Sequence, residues 1–516
     1  MATHPNATPT VAPLESWIAL HPAALAWAAG ERPLPPAGWG GASVRSAALA
    51  EALAEANRRW GNPVDRELER WRAGAAAVVT GQQPGLAGGP LLTLVKACAV
   101  AAEVRRLAAQ GTDAVGFLWL ATGDDDLPEM GWARLAVGEE VVEVREPGWQ
   151  RGDRLAGAAP LSGACAEWLA SLAPRLPPGN AQDAAAFAAS CYAAGVSLGE
   201  ATARFLARLL AGTGIVLVDA LEPALARASA PAVAAVLARL DAAWQVLEAG
   251  AAAMQQRGWP VPLRLARQKL PVFRREGDRR VSVPTSARGA AAEILDEQRL
   301  HPERFLPNAW VRPLVADAAF GTAVSVLGGA ELAYHLQGAG LWELAGLRRP
   351  EWRLRPHVTV ITAAERRLAA QLRVAPEQLL RARPPLRALP GKRTRRQVER
   401  LHAALDRQMA AVAAAAREEL PGLGGDVDAT ANRLSAAAEW LDGRLANAAA
   451  RDAEVEMGRW RRLVAFVRPH GQPQERHLSV LAPLLRLGLD WPRELAAAID
   501  PEHPGMQLLC WEDGRW

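Results

Sequence analysis

The stretch Val78-Val79-Thr80-Gly81-Gln82-Gln83-Pro84-Gly85-Leu86-Ala87-Gly88-Gly89-Pro90, continuing into Leu91–Lys96, decides the reading of this chain. It starts from the apolar run Ala75–Val79, of strand type, and crosses a glycine-rich polar loop. It then enters a helix expected to open at Pro90, since proline suits the first helical position. Glycines between a buried strand and a helix N-terminus allow close backbone approach to a ligand. They also leave amide N–H groups and the positive end of the helix dipole available to an anion. The segment therefore predicts a small-molecule site in which Gln82, Gln83, Gly85, Gly88 and Gly89 contribute to binding. Lys96 leans back toward the loop, as helical side chains do. The loop matches neither common phosphate fingerprint: Gly89 is followed by proline rather than by Lys-Ser/Thr, and the three-glycine dinucleotide spacing is absent. Its specific content is the pair Gln82-Gln83, whose amides both donate and accept. The competing reading is a tight strand–helix turn whose glycines serve packing alone.

Four further apolar runs, Phe117–Ala121, Ile215–Val218, Val324–Leu327 and Val358–Ile361, are continuous rather than alternating, as strands covered on both faces are. Helical patterns flank them, such as Leu91, Leu94, Val95, Cys98 and Ala102. The fold class is α/β, with a Rossmann-like parallel sheet. Polar and glycine residues cluster at the carboxyl ends of the runs, where open α/β sheets bind ligands.

Two of those ends carry chemistry. In Gly123-Asp124-Asp125-Asp126-Leu127-Pro128-Glu129, the carboxylates of Asp124, Asp126 and Glu129 could hold Mg²⁺, receive a substrate ammonium or act as a general base. A solvated turn capping the next helix is the plain alternative. In Gly328-Gly329-Ala330-Glu331-Leu332-Ala333-Tyr334-His335, Gly328, Gly329, Glu331 and Tyr334 would complete a pocket, with capping as the alternative for Glu331. His335 reads as a packing histidine, since no nucleophile accompanies it.

The 516 residues are half apolar and carry a net charge of +4, enough for two or three domains and only mildly basic. No basic arm interleaved with aromatics indicates nucleic acid. Cys98, Cys165, Cys191 and Cys510 are widely spaced, which suggests reduced thiols in a cytoplasmic protein rather than zinc ligands. No secretory signal or bilayer-spanning apolar run is evident, so no membrane association is expected. Almost every basic residue is arginine; the only lysines are Lys96, Lys269 and Lys392.

The core is expected over 1–135, 196–240 and 306–365, interrupted by insertions at 136–195 and 241–305. The first insertion reads as helical with loops; the second contains a hairpin turning at Glu276-Gly277-Asp278. Residues 366–470 form a helical arm in which Val398, Leu401, Leu405, Met409 and Val412 face Val427, Ala431, Leu434, Ala438, Leu441, Leu445 and Ala448. The two helices are separated by Pro421-Gly422-Leu423-Gly424-Gly425 and predict an antiparallel coiled-coil hairpin suited to homodimerisation. Residues 471–516 are apolar enough to fold back on the core.

Taken in order, these segments resemble the cysteine-adding enzymes of bacillithiol biosynthesis, the BshC family. The resemblance rests on Thr80-Gly81-Gln82-Gln83-Pro84-Gly85 with Gly88-Gly89-Pro90-Leu91 and Lys96, and on Gly328-Gly329-Ala330-Glu331. Supporting similarity lies at Gly214–Asp219, Arg312–Asp317 and Gln474-Glu475-Arg476. It implies a core related to class I nucleotidyl transferases and a dimerising coiled coil. It also implies a ligase joining cysteine, through its carboxyl group, to the amine of glucosaminyl malate. Amide formation from a free carboxylate needs activation, so ATP with Mg²⁺ is the chemical expectation. One departure stands out. Where the family shows Glu-Asp-His-Asp and a further histidine seven residues on, this chain has Gly123-Asp124-Asp125-Asp126 and Trp132. Aspartate does not replace histidine as a proton donor near neutral pH. A member that binds ligand or partner without turnover is therefore the alternative. A tRNA-directed activating enzyme is a weaker one, because its His-Ile-Gly-His-like and Lys-Met-Ser-Lys-Ser-like signatures are missing.

Overall fold

Four of the five apolar runs become neighbouring strands in the computed structural model, which describes residues 10–12, 19–34, 37, 45–285, 290–374, 392–449 and 454–511. The five-stranded sheet runs Glu351–Leu354, Thr322–Leu327, Ala76–Gln82, Ala114–Leu120, Ile215–Asp219, and every pairing is parallel. This is the Rossmann-like architecture that the continuous apolar runs predict. The fifth run is a correction. His357–Ile361 leaves this sheet and pairs in parallel with Met506–Cys510, which in turn pairs antiparallel with Thr10–Ala12. Its place in the main sheet is taken by Glu351–Leu354. That edge strand buries only alternate side chains, so it lacks the continuous apolar signature. The chain changes sheets at Arg355-Pro356, where the Arg355 N–H still bonds to Leu327 O (2.8 Å) and the next residue has no N–H to continue the ladder.

The opposite edge, Ile215–Asp219, is closed by side chains rather than by another strand. Asn57 accepts from Leu217 N–H (3.0 Å) and donates to Leu217 O (2.8 Å), while Asn62 donates to Ile215 O (2.9 Å). Pairing an edge in this way removes a template for aggregation. Beneath the sheet, Trp71, Phe117 and Phe320 form an aromatic cluster with centroids 4.6–6.1 Å apart.

The helix after the glycine loop spans Leu92–Ala109 and starts two residues later than expected. Pro90 bridges to Ser479 and Leu91 N–H bonds to Leu478 O (2.8 Å), which commits those residues to a neighbouring segment instead of the first turn. The helix is buried from Thr93 to Glu103, so it is a central helix rather than an amphipathic surface one. The first insertion opens with a hairpin, Trp132–Val137 and Glu140–Arg145, before its helices Ala164–Leu172 and Asn180–Cys191. The second carries the predicted hairpin, Lys269–Glu276 with Arg279–Pro284, turning through Gly277-Asp278, and Phe305–Pro307 adds a third strand.

The described residues fall into two compact units. The first comprises 1–135, 142–362 and 473–516, and the second 136–141 with 363–472. Within the second, Lys392–Glu419 and Gly424–Ala449 pack as a helical hairpin around the turn Pro421–Leu423. Val398 and Ala438 are buried in it, whereas Leu401, Val412, Leu434 and Leu441 of the expected stripe remain exposed, as does Trp440. Gly424 and Gly425 belong to the second helix, not to the turn. Among the described residues no single helix is long and apolar enough to cross a membrane.

Candidate active site

A cavity of about 830 Å³ opens at the carboxyl ends of the parallel strands, within the first unit. Its floor is built from the strand ends and the loops that leave them: Gly81–Gln83, Trp119, Ala121, Gly123, Asp124, Ala220 and Gly328–Glu331. The second insertion roofs it through Leu270, Phe273 and Arg280.

One end is basic. Lys96, on the buried helix, reaches back so that Nζ donates to Gly81 O and to Glu331 Oε2, both at 2.7 Å. It is 4 % exposed, and so is not a solvated helix lysine. Glu331 occupies the first turn of Gly329–Gln337 and also accepts from Gly328 N–H (2.7 Å), so it caps its own helix while binding Lys96. Arg312 lies 3.9 Å from the other Glu331 oxygen and donates to the Tyr334 hydroxyl (2.5 Å). Burial alone would raise the Glu331 pKa, but Lys96, Arg312 and the Gly328 amide hold it down at about 2. Lys96 moves down from its ordinary value as well. Burial is the main cause, and Arg355 and Arg312 add to it against the pull of Glu331. The two shifts pull the pair in opposite senses. The carboxylate decides the matter, since two cations, Lys96 and Arg312, face it and the Gly328 amide donates to it, which keeps it ionised. Burial pushes the Tyr334 hydroxyl up to about 12, keeping it a neutral donor and acceptor.

Arg355 and Arg476 also line this end. Arg355 is fixed by a bidentate pair with Glu475 (2.9 and 2.7 Å), which also accepts from the Val358 N–H (3.1 Å) and contacts His357 Nδ1 (2.7 Å). Gln474 pairs with both backbone groups of Val360. Of Gln474-Glu475-Arg476, the first two therefore hold the fold and the third reaches the cavity.

The other end is acidic. Asp124 accepts from Gln83 Nε2 (2.6 Å) and from Arg280 (3.0 Å), and Gln83 also reaches Glu129 (3.3 Å). Asp125 pairs with Arg280 (2.6 Å) and Asp126 with Arg151 (2.9 Å). Among the described residues no cluster of three or more His, Cys, Asp or Glu is arranged to hold a metal ion.

The cavity brings together Gln82, Gln83, Lys96, Asp124, Glu129, Gly328, Gly329, Glu331 and Tyr334. Four expected residues stand elsewhere. Asp126 does not line the cavity, but pairs with Arg151, which does. Gly85, Gly88 and Gly89 are buried, and their amides serve the fold: Gly85 N–H bonds to Thr202 Oγ1 (3.2 Å), Gly88 N–H to Tyr192 Oη (2.8 Å) and Gly89 N–H to Leu86 O (2.9 Å). Those three are not an anion cradle. Gly88, with φ of +86°, has no room for a Cβ, which would sit 2.7 Å from that of Val480. His335 is a packing residue: burial lowers its pKa to about 3, its Nδ1 bonds to Glu331 O (2.7 Å), and its ring lies among Tyr334, Trp342 and Trp352. The lining residues that sequence reasoning did not assign to the site are the arginines 312, 355, 476 and 280, together with Trp119, although Arg312 and Arg476 fall in stretches that supported the resemblance. The only compositional signal in the lining is that two of the three lysines, Lys96 and Lys269, lie there.

Residues 40–356 match the N-terminal Rossmann-like domain of the bacillithiol-biosynthesis BshC family, and residues 358–511 match its C-terminal coiled-coil domain. The chain belongs to the BshC family. A Solibacter usitatus protein named "Putative cysteine ligase BshC" is 28% identical over 477 residues, covering 89% of this chain and 88% of its own length. A Chlorobaculum tepidum protein of the same name is 27% identical over 325 residues, 60% of this chain and 58% of its own. A Bacillus cereus one is 23% identical over 440 residues, 80% of each. Asp125 is ion-paired with Arg280, and the Arg134 guanidinium lies over the Trp132 ring (4.3 Å to its centroid).

Proposed function

We propose that this BshC-family enzyme joins the cysteine carboxyl group to the amine of glucosaminyl malate, forming bacillithiol. The observation that carries this reading is the polarity of a single cavity. Asp124 and Glu129 stand at one end, and Lys96, Arg312, Arg355 and Arg476 at the other. An amine and an anion placed at opposite ends of one cavity are held in the orientation that amide formation requires. Asp124 and Glu129 receive the substrate ammonium and take the proton it must lose before attack. The basic end takes the anionic groups, whether malyl carboxylates or nucleotide phosphates. Donors already fixed by Glu331 and Glu475 need little reorganisation to do so. ATP would supply the leaving group that activates the cysteine carboxyl, with its Mg²⁺ carried mainly on its own phosphates, since the acidic loop is engaged by Arg280, Arg151 and Gln83. The exposed apolar residues of the helical hairpin support a homodimer, and the biosynthetic role supports a cytoplasmic location.

Incubation with cysteine, glucosaminyl malate and Mg-ATP, read by mass spectrometry, tests the assignment. Bacillithiol is the expected product. Its absence, while a family member with both loop histidines makes it under the same conditions, overturns the reading. The engagement of Asp125 and the replacement by Trp132 favour one alternative, a member that binds these ligands without turnover. That alternative predicts a thermal shift with glucosaminyl malate and no product.

A further inference from the structure

Arg280 comes from the inserted hairpin, yet its guanidinium ends in the acidic loop. A single terminal nitrogen donates to Asp125 Oδ1 (2.6 Å) and Asp124 Oδ1 (3.0 Å), and the other reaches Gly123 O (3.3 Å). Its planar face lies over Phe273 (4.7 Å), and the hairpin turn is anchored where Leu155 N–H bonds to Asp278 O (2.7 Å). Asp124 lines the cavity; Asp125 does not.

We infer that Arg280 is a positioning residue for the amine-receiving carboxylate of Asp124, and that Asp125 shares Arg280 so that Asp124 keeps charge to offer a substrate ammonium. Two carboxylates and one guanidinium leave the trio with one negative charge. An arriving ammonium neutralises it. Without the Asp125 charge, Arg280 and Asp124 would already cancel, and the guanidinium would compete with the substrate for the same oxygen. Arg280 thus aligns Asp124, while Asp125 prevents that alignment from becoming a block. The inference rests on the ligase reading only in taking the acidic end as the amine end.

The experiment compares wild type, Asp125→Asn, Arg280→Gln and the double variant on the full chain. Calorimetry measures glucosaminyl malate binding, and steady-state kinetics run with saturating cysteine and Mg-ATP. Asp125→Asn is expected to raise Kd and KM for glucosaminyl malate by about tenfold or more, the scale of one charge-assisted contact, with the effect on KM rather than kcat. Adding Arg280→Gln is expected to recover most of that loss, because Asp124 is then free of its competitor. A role in holding the loop alone predicts instead that the two substitutions add their damage, and that result overturns the inference. Binding that follows the expected pattern without any product leaves this inference standing and removes the ligase reading. Turnover with an unchanged KM in Asp125→Asn does the reverse, and failure of the wild type to bind glucosaminyl malate removes both.

Discussion

Two strand–glycine–helix junctions look alike in the sequence and do opposite work in the fold. Gly85–Gly89 is buried and braced from outside, with its amides spent on Thr202, Tyr192 and Leu86 and its edge bonded to Leu478 and Val480. Gly328-Gly329 lies in the cavity wall, and the Gly328 amide is held by a carboxylate that also binds Lys96. Glycine is needed at the first because neighbours leave no volume. At the second, the nearest atom to a Cβ on Gly328 would be the Glu331 carboxylate oxygen at 3.1 Å. Strand, glycines and helix are thus a geometric signal; which atoms receive the freed amides decides whether a ligand can use them.

The sharpest way to break this comparison is to add one methyl group to each junction. Gly88→Ala meets Val480 and Phe205 at a positive φ and is expected to cost about 4–6 kcal/mol, measured by denaturant unfolding. Gly328→Ala should cost far less stability and appear in ligand binding instead. If both variants unfold equally, the distinction fails. Next in size is Glu331→Gln. It leaves Lys96 beside Arg312 and Arg355 without a countercharge, and an expected loss of about 2–4 kcal/mol reflects a pair that is only partly buried. It also removes the acid-side dependence of this junction. The folded Glu331 pKa lies below its unfolded value, so its contribution is present above about pH 4.5 and is lost as pH falls toward 2.

Asp317 provides a smaller effect of opposite sign. Burial raises its pKa to about 7 despite a hydrogen bond from Trp342 Nε1 (2.7 Å). A raised carboxyl pKa favours the folded state at low pH, so this contribution fades between about pH 4 and 7, by on the order of 1–3 kcal/mol. Asp317→Asn should flatten that part of a stability–pH curve. The smallest effect belongs to the helical hairpin. Trp440 is 68% exposed, so Trp440→Ser should alter the unfolding of an isolated chain by less than about 0.5 kcal/mol. A larger, concentration-dependent change, read by sedimentation, would show that the exposed face is covered by a second copy.

Much of the sheet was legible because buried parallel strands advertise themselves as unbroken apolar runs, as Ala76–Val79 and Phe117–Leu120 do. The same signal could not say that Val358–Ile361 pairs with Met506–Cys510, since pairing partners leave no trace in a run that is apolar on both faces. Glu351–Leu354 was invisible for the converse reason: an edge strand half open to solvent alternates. Within the site, Lys96 was recognisable because lysine is rare here. Arg312, Arg355 and Arg476 could not be assigned to it: in a chain whose cations are nearly all arginine, residue type does not mark a site, and the family-like stretches holding Arg312 and Arg476 do not say which of their residues reaches the cavity.

The short segment Gln474–His477 gives the order of synthesis a role in this protein. Arg476 lines the cavity, Glu475 fixes Arg355 there, and Leu478–Val480 brace the glycine loop formed some four hundred residues earlier. All of this emerges from the ribosome only after the helical hairpin. A growing chain can therefore pair its central strands early but cannot assemble the cavity until the arm has been made, which delays ligand binding until residues 474–480 have emerged. A chain cut between residues 362 and 473 would keep all five strands of the central sheet and have no finished site.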